Sequence, residues 1–354
     1  MIASSLGNST GPPASVRPNV FRAKLDDVRA LVSVLKAVAF KDKANCIISR
    51  DGMRFVVEDS HASLARCHLQ QAHFRDYFFP SQHGSVVPQT LSIDAGGPSD
   101  DPATLEITFS VDIQTLLDCL TIFGGSSSNP FSSPAMQARA AELPGASQQQ
   151  QSQAFRHPHH RDGDEKTCVA VRISCPLEGN ELSLTLEEKG VVTMCQLTTF
   201  EPEPHVDLHA SFAAQRIVGK VIMKSQWLRD AFSELDGTSD TVTLLVSPAA
   251  PYFRLSASGL AGDTQMDYPK DTDVVESFHC MKTSTNNYKY SLLQPCLRAL
   301  ALSTKSNIRI NETGFLSMQF MVPINENDIS FVEYLVSPLV DEDDGNPPNP
   351  GLAP

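Results

Sequence analysis

The stretch "RDGMRFVVEDSHASLARCHL", residues 50–69, gathers Glu58, Asp59, His61 and His68 within eleven positions. It reads either as an acid/base cluster or as a hairpin that contains polar residues. Asp51-Gly52 is a hairpin turn signal between two apolar-rich runs. Neighbouring strand residues point to opposite faces, so the carboxylates of Glu58 and Asp59 are expected to diverge. A two-metal centre needs ligands converging on ions about 4 Å apart. A partly similar stretch, "PYFRLSASGLAGDTQMDY" at 251–268, sharpens the choice. Phe55, Val57 and Ser60 match Phe253, Leu255 and Ser258 at an offset of 198, and Asp59 and His61 fall on Ala257 and Gly259. If both copies build one scaffold, the acids and histidines are dispensable to it, and the hairpin reading is preferred.

Working outward, the same order of elements recurs on either side of the chain's middle. Four amphipathic helices stand out by their apolar spacing. In "LDDVRALVSVLKAVAF" the stripe is Leu25, Val28, Leu31, Val32, Leu35 and Val38. After the N-cap candidate Asp112 it is Ile113, Leu116, Leu117 and Leu120. From Ser225 it is Trp227, Leu228, Ala231, Phe232 and Leu235, and from Ser291 it is Leu293, Cys296, Leu297 and Leu300. Strand patterns outweigh them: "TLEITFSV", "ELSLTLEE", "TVTLLVS", "FLSMQFMV" and "SFVEYLVS" alternate or are β-rich. Each half thus reads as helix, hairpin strands, helix and further strands, an internal repeat of two α+β modules. The expected domains are 20–199 and 214–339, joined by a linker at 200–213 whose Pro202 and Pro204 discourage regular structure. The ends 1–19 and 340–354 and the insertions 80–103 and 124–166 are rich in Pro, Gly, Ser and Gln. Such composition cannot bury enough apolar surface to offset its ordering entropy.

The chain has 354 residues and a net charge of −13, which argues against a protein that is basic all over. It leaves room for a locally basic face, because partners feel the distribution of charge. No apolar run approaches twenty residues, so no membrane span is expected, and the N-terminus does not read as a secretory signal. The eight cysteines form no Cys-x-x-Cys pair, which suggests free thiols in a reducing compartment. "HPHH" at 157–160 lies in an insertion without fixed geometry, and "HRDGDE" has neither the Gly-rich loop nor the Asp-Phe-Gly of a kinase. No phosphate-binding loop or dinucleotide fingerprint occurs, and no cofactor or metal is expected.

The bases lie on the polar sides of the helices. Arg29 and Lys36 fall on one face of the first, and Lys43 follows its end. Lys220 and Lys224 precede the third, and Arg229 lies off its apolar stripe. Arg298 and Lys305 accompany the fourth. Ordinary solvated faces look like this. So does a surface built to meet phosphates in a sequence-independent, salt-sensitive way.

Two α+β modules of this kind resemble DNA sliding clamps of the PCNA type. The stretches "LDDVRALVSVLKAVAF", "VDIQTLLDCLTIFG", "EEKGVVTMCQL", "LRDAFSELD", "PYFRLSASGLAG", "DYPKDTDVVESFHC", "GFLSMQFM" and "FVEYLVSP" are similar, in order, to Rad-one-type subunits of the nine-one-one checkpoint clamp. The resemblance implies a non-catalytic subunit of a heterotrimeric ring with Rad-nine-type and Hus-one-type partners. A Rad-seventeen-type loader would place it on duplex DNA at recessed 5′ junctions in the nucleus, where it supports checkpoint kinase signalling and recruits repair enzymes. It implies that Arg29, Lys36, Lys43, Lys220, Lys224, Arg229, Arg298 and Lys305 face the DNA. By analogy, ring closure uses strand edges at "ELSLTLEE" (Leu182, Leu184, Leu186) and "DTQMDY" (Met266, Tyr268). A partner-peptide pocket is expected between Val206 and Leu208 of the linker and Tyr334 and Pro338. The alternatives are a metal-dependent 3′-exonuclease centred near Glu58 and Asp59, and a self-trimerising replication clamp.

Overall fold

The computed structural model describes residues 19–80, 106–123, 168–176, 180–202, 207–325 and 328–339. The expected unstructured insertions and tail fall almost wholly outside these, as does Val206 of the expected pocket.

The first half runs β1 (Asn19–Leu25), α1 (Val28–Val38), β2 (Lys43–Ser49), β3 (Gly52–Asp59), β4 (Ser63–Gln70), β5 (Asp76–Phe78), β6 (Ile107–Asp112), α2 (Ile113–Leu120), β7 (Ala170–Pro176), β8 (Glu181–Glu188) and β9 (Val191–Thr198). A connecting helix, α3 (Leu208–Ala213), follows. The second half repeats the order: β10 (Ile217–Lys224), α4 (Ser225–Ser233), β11 (Thr241–Val246), β12 (Phe253–Gly259), β13 (Gly262–Tyr268), β14 (Val275–Cys280) and β15 (Ser284–Lys289). The helical segments α5 (Tyr290–Leu293) and α6 (Cys296–Leu302), then β16 (Lys305–Asn311), β17 (Leu316–Pro323) and β18 (Ile329–Val336), complete it.

Local chemistry sets these boundaries. Asp27, Asp112 and Asp207 each cap a helix, accepting from Arg29 N at 2.9 Å, Thr115 N at 2.6 Å and Ala210 N at 2.9 Å. That satisfies backbone donors the first helical turn leaves unpaired. The fourth expected helix is divided at Pro295, which supplies no amide donor. The opening stretch forms the β3–β4 pair, and Gly52 at its start has φ +144°, a region glycine tolerates. A Cβ there would lie 2.0 Å from the Leu69 carbonyl oxygen, so the close approach of β4 also requires glycine.

Strand order reveals the architecture. Sheets run β5-β1-β7-β8-β9, β14-β10-β16-β17-β18-β4-β3-β2-β6, and β13-β12-β11-β15. By the repeat, β14-β10-β16-β17-β18 corresponds to the first sheet, and β4-β3-β2-β6 to the third. The nine-stranded sheet is therefore a five-stranded unit of one half fused to a four-stranded unit of the other. The seam is the antiparallel β18–β4 pair, with Glu333 opposite Arg66 and Leu335 opposite Leu64. Most helix residues expected in the core are buried, including Leu31, Leu35, Ile113, Leu116, Leu228 and Leu300. Trp227 is a correction: it is 43% exposed, because α4 turns its Leu228, Ala231 and Phe232 side inward. The expected linker carries regular structure near its two ends, where Phe200 pairs with Ser110 and α3 is helical.

Candidate nucleic-acid interface

Helices of both halves pack as one layer in the order α2, α1, α6, α4. Their apolar stripes rest on the sheets, so their remaining faces point outward. The Tyr334 hydroxyl fixes the seam from below, donating to the carbonyl oxygens of Ala37 on α1 at 2.5 Å and Pro295 before α6 at 3.0 Å. From above, Arg298 of α6 donates to the carbonyl oxygen of Ala39, at the end of α1.

Of the eight bases expected on one face, four are on this layer. Lys36 and Arg298 line a shared depression with Ala39, Gln114, Leu117, Asp118 and Thr121 where α1, α2 and α6 meet. A cation from each half thus meets at the seam. Arg229 of α4 is exposed and reaches the Ala301 carbonyl oxygen of α6 at 3.5 Å. Arg29 is half-buried and clamped by Asp27 at 2.6 Å, which raises its pKa through that hydrogen bond.

The other four need correction. Val221 and Met223 of β10 are buried, as are Ile308 and Ile310 of β16, and they fill the helix side of the sheet. Alternation therefore puts Lys220, Lys224 and Lys305 on the opposite side. Lys220 lies beside Arg309, whose guanidinium is 5.2 Å from the Phe212 ring of α3. Lys305 is paired with Glu276 at 2.8 Å. Lys43 alternates with the buried Ala44 and lies over the Phe200 ring at 5.1 Å, also away from the helices.

The edge expectation is half corrected. β8 is interior, hydrogen-bonded to β7 and β9, and Leu182, Leu184 and Leu186 are buried in the chain's own core. Among the described residues that sheet ends in β5 and β9, and on β9 Val192 is 60% and Met194 68% exposed. The four-stranded sheet ends in β13 and β15. Met266 and Tyr268 of β13 are half-buried, and Tyr268 donates to the Trp227 carbonyl oxygen at 3.4 Å.

The sheet's other face carries the connecting segment. Leu208 and Phe212 of α3 form a small apolar cluster with Val56, Leu64 and Leu335. Leu208, expected to line a pocket, is itself buried in this cluster. Tyr334 is not part of it, because it belongs to the helix side, and Pro338 lies beside Gly314 instead. Beneath α3, buried Glu333 binds Arg66 and Arg309, each at 2.6 Å, and accepts from Ser317 at 2.7 Å. Sequence reading missed this cluster, although the alternation of "FVEYLV" separates Phe331, Glu333 and Leu335 from Val332, Tyr334 and Val336.

Glu58 and Asp59 border a common depression with Lys41, Lys43 and His61, because β3 ends there in a turn with positive φ at Ser60 and His61. Alternation alone would have separated them. Each is engaged: Glu58 with His61 Nδ1 at 2.5 Å, Asp59 with Lys41 at 2.8 Å. The Lys41 hydrogen bond lowers the Asp59 pKa. Among the described residues, no three His, Cys, Asp or Glu side chains are grouped to hold a metal ion.

Comparison with known proteins is consistent with this arrangement. The family described as "Repair protein Rad1/Rec1/Rad17" matches residues 20–322. The mouse cell cycle checkpoint protein RAD1 is 38% identical over 89% of this chain and 91% of its own length. The human protein of that name is 37% identical over 89% and 90%. A more distant relative, the DNA repair exonuclease REC1 of Mycosarcoma maydis, is 24% identical over 85% and 87%. The family match runs from β1 into β17 and so covers most of both halves of the repeat, and the chain belongs to the Rad1/Rec1/Rad17 family of DNA-damage checkpoint and repair proteins, with a PCNA-like clamp fold.

Proposed function

We propose that this chain is one non-catalytic subunit of a heterotrimeric clamp that encircles duplex DNA. The observation that carries the reading is the seam. Inside the chain, β18 pairs with β4; the repeat makes β9 the counterpart of β18 and β13 the counterpart of β4. Both counterparts are terminal strands among the described residues, one in each half. Joining β9 of one subunit to the β13 equivalent of the next would reproduce the internal seam and close a ring. Unpaired edges are otherwise an aggregation liability, which pairing removes.

The helix layer would then line the hole, with Lys36, Arg229 and Arg298 meeting phosphates and Arg29 flanking them. Contacts to phosphate hold without reading sequence, as a sliding ring requires. Partners of the Rad-nine and Hus-one types complete the ring in this reading. A Rad-seventeen-type loader opens it at recessed 5′ junctions on nuclear DNA, and the outer face around α3 receives repair enzymes and supports kinase signalling. The domains 20–199 and 214–339 are its two modules.

Co-expression with the two partner types tests the reading. A complex of one copy of each is expected, with no homotrimer of the isolated chain. A stable homotrimer would favour the replication-clamp alternative, and failure to join either partner would overturn the ring.

A further inference from the structure

The internal seam shows what ties one half of this fold to another, and the chain's two outer edges lack those ties for each other. Val28-Arg29 and Leu228-Arg229 match at an offset of 200, which puts Ala23 of β1 on Met223 of β10. Strand registers carry that match outward. Ala23 lies opposite Ile173, Ile173 opposite Leu184 and Leu184 opposite Cys195. Met223 leads in the same way through Ser306 and Phe320 to Val332. Cys195 of β9 is therefore the counterpart of Val332, and Gln196 and Leu197 are those of Glu333 and Tyr334. At the other edge, the match of Phe55 with Phe253 puts Val56 on Arg254. Val56 lies opposite Arg66 and Arg254 opposite Asp267, so Asp267 of β13 is the counterpart of Arg66. A joint between β9 and the β13 of a second copy sets Gln196 against Asp267, where the seam sets Glu333 against Arg66. It also has Leu197 where the Tyr334 hydroxyl ties the helices. β9 carries no charged residue, whereas β13 presents Asp263 and Asp267 on one face, both exposed. Arg254 of the same chain holds Asp267 at 2.6 Å.

We propose that the two edges select different partners by charge. β13 fits a partner whose edge strand presents a base opposite Asp267. That reverses the polarity of the seam, where β18 supplies the acid and β4 the base. β9 fits a partner whose edge is uncharged opposite Gln196 and covers Val192 and Met194, which are 60% and 68% exposed. Closing a joint takes water from the Asp267 carboxylate, which is costly unless further charged or hydrogen-bonding groups replace it. A base replaces it with a charge-assisted hydrogen bond, stronger than the neutral amide of Gln196 can make. The same mismatch disfavours joining one copy of this chain to another. The selection rests on the proposed ring, whose two joints it distinguishes.

Titrating the full chain with a Rad-nine-type subunit alone and with a Hus-one-type subunit alone, at increasing salt, tests the selection. The complex formed through β13 should weaken about tenfold between ~0.05 and ~0.5 M salt, and the one formed through β9 about twofold or less, because salt screens charge and not apolar cover. Asp267→Lys should abolish the salt-sensitive complex and spare the other, and Asp267→Ala should weaken that same complex less. Val192→Lys with Met194→Lys should do the reverse. Binding of the spared partner, with far-ultraviolet circular dichroism, verifies that each variant folds. Equal salt responses of the two complexes would overturn the selection and leave the ring standing. So would a folded Asp267→Lys chain that keeps both partners or loses both. Absence of a complex between the unsubstituted chain and either partner counts against the ring itself.

Discussion

Glu333 of β18 and Arg66 of β4 lie 2.6 Å apart across the seam between the two halves, with the carboxylate almost fully buried. Arg309 of β16 takes the second carboxylate oxygen at 2.6 Å, and Ser317 also donates to it. Removing one member strands buried charge. Glu333→Ala is therefore expected to destabilise the chain by about 3–5 kcal/mol, whereas breaking an exposed pair costs about 0–1 kcal/mol. Urea denaturation checks this, with Arg22→Ala as the exposed control, since Arg22 and Asp76 are both about half exposed. Equal losses for the two would show that the seam is not held by this cluster.

The helix-layer cations predict a salt-sensitive hold on DNA. Lys36→Glu and Arg229→Glu, on exposed helix positions, should leave the unfolding midpoint nearly unchanged. Each phosphate that is no longer neutralised should make the slope of log affinity against log salt shallower by about 0.9. Retention of the assembled ring on circular DNA at increasing salt is the measurement. Lys220→Glu, on the other face, should have little effect. A loss with Lys220→Glu as large as with Lys36→Glu would reverse the assignment of faces.

The corrected edge separates folding from assembly. Leu184 is fully buried within β8, so Leu184→Ala should cost the isolated chain about 2–5 kcal/mol. Val192 and Met194 project from β9 into solvent. Replacing both by lysine should leave the chain folded while preventing association with one neighbour, because lysine on an edge opposes strand pairing. Size-exclusion chromatography with light scattering distinguishes the outcomes. Normal assembly of the double variant would remove β9 from the interface.

The non-catalytic reading predicts no 3′-end shortening of DNA above background by the purified chain with magnesium or manganese. The name of the Mycosarcoma maydis relative makes the assay necessary. Digestion abolished by Glu58→Ala together with Asp59→Ala would establish a nuclease. Digestion surviving both changes would point to another site or a contaminant.

Much of the fold is legible because it is written in short periods. Stripes such as Leu31–Leu35 and Ile113–Leu116–Leu117 mark helices, and the Asp51-Gly52 turn marks a hairpin. Strand order is not local, so nothing in "ELSLTLEE" itself tests the edge role that analogy gives it. Its leucines alternate with polar residues whichever strand lies beside it, and only the following hairpin through Lys189-Gly190 puts β9 outside. The better signal was in "VVTMCQLT", where Val192 and Met194 put apolar groups on the side opposite Leu197. The bases expected on one face divide between two for a related reason. Helical spacing identified Lys36, Arg229 and Arg298, whereas Lys220, Lys224 and Lys305 belong to strands, where one position changes the face.

Asp112 offers a pH-dependent test of how α2 is anchored beside the edge strand. Its carboxylate accepts from Thr115 N at 2.6 Å, and that backbone hydrogen bond holds its pKa below the usual carboxylate value. An unfolded aspartate titrates near ~3.9. Because the folded pKa is depressed, the unfolded chain binds the proton more readily. The cap's stabilisation is complete above the unfolded pKa and disappears as pH falls through the folded one. Asp112→Ala should therefore cost about 1 kcal/mol at neutral pH, and the gap to the unsubstituted chain should narrow below about pH 4. Asp112→Asn keeps the oxygen acceptor without its charge, so it should retain most of the stability and lose this component of the pH dependence. A constant gap between Asp112→Ala and the unsubstituted chain from neutral pH to pH ~3 would show that the capping hydrogen bond does not depend on ionisation.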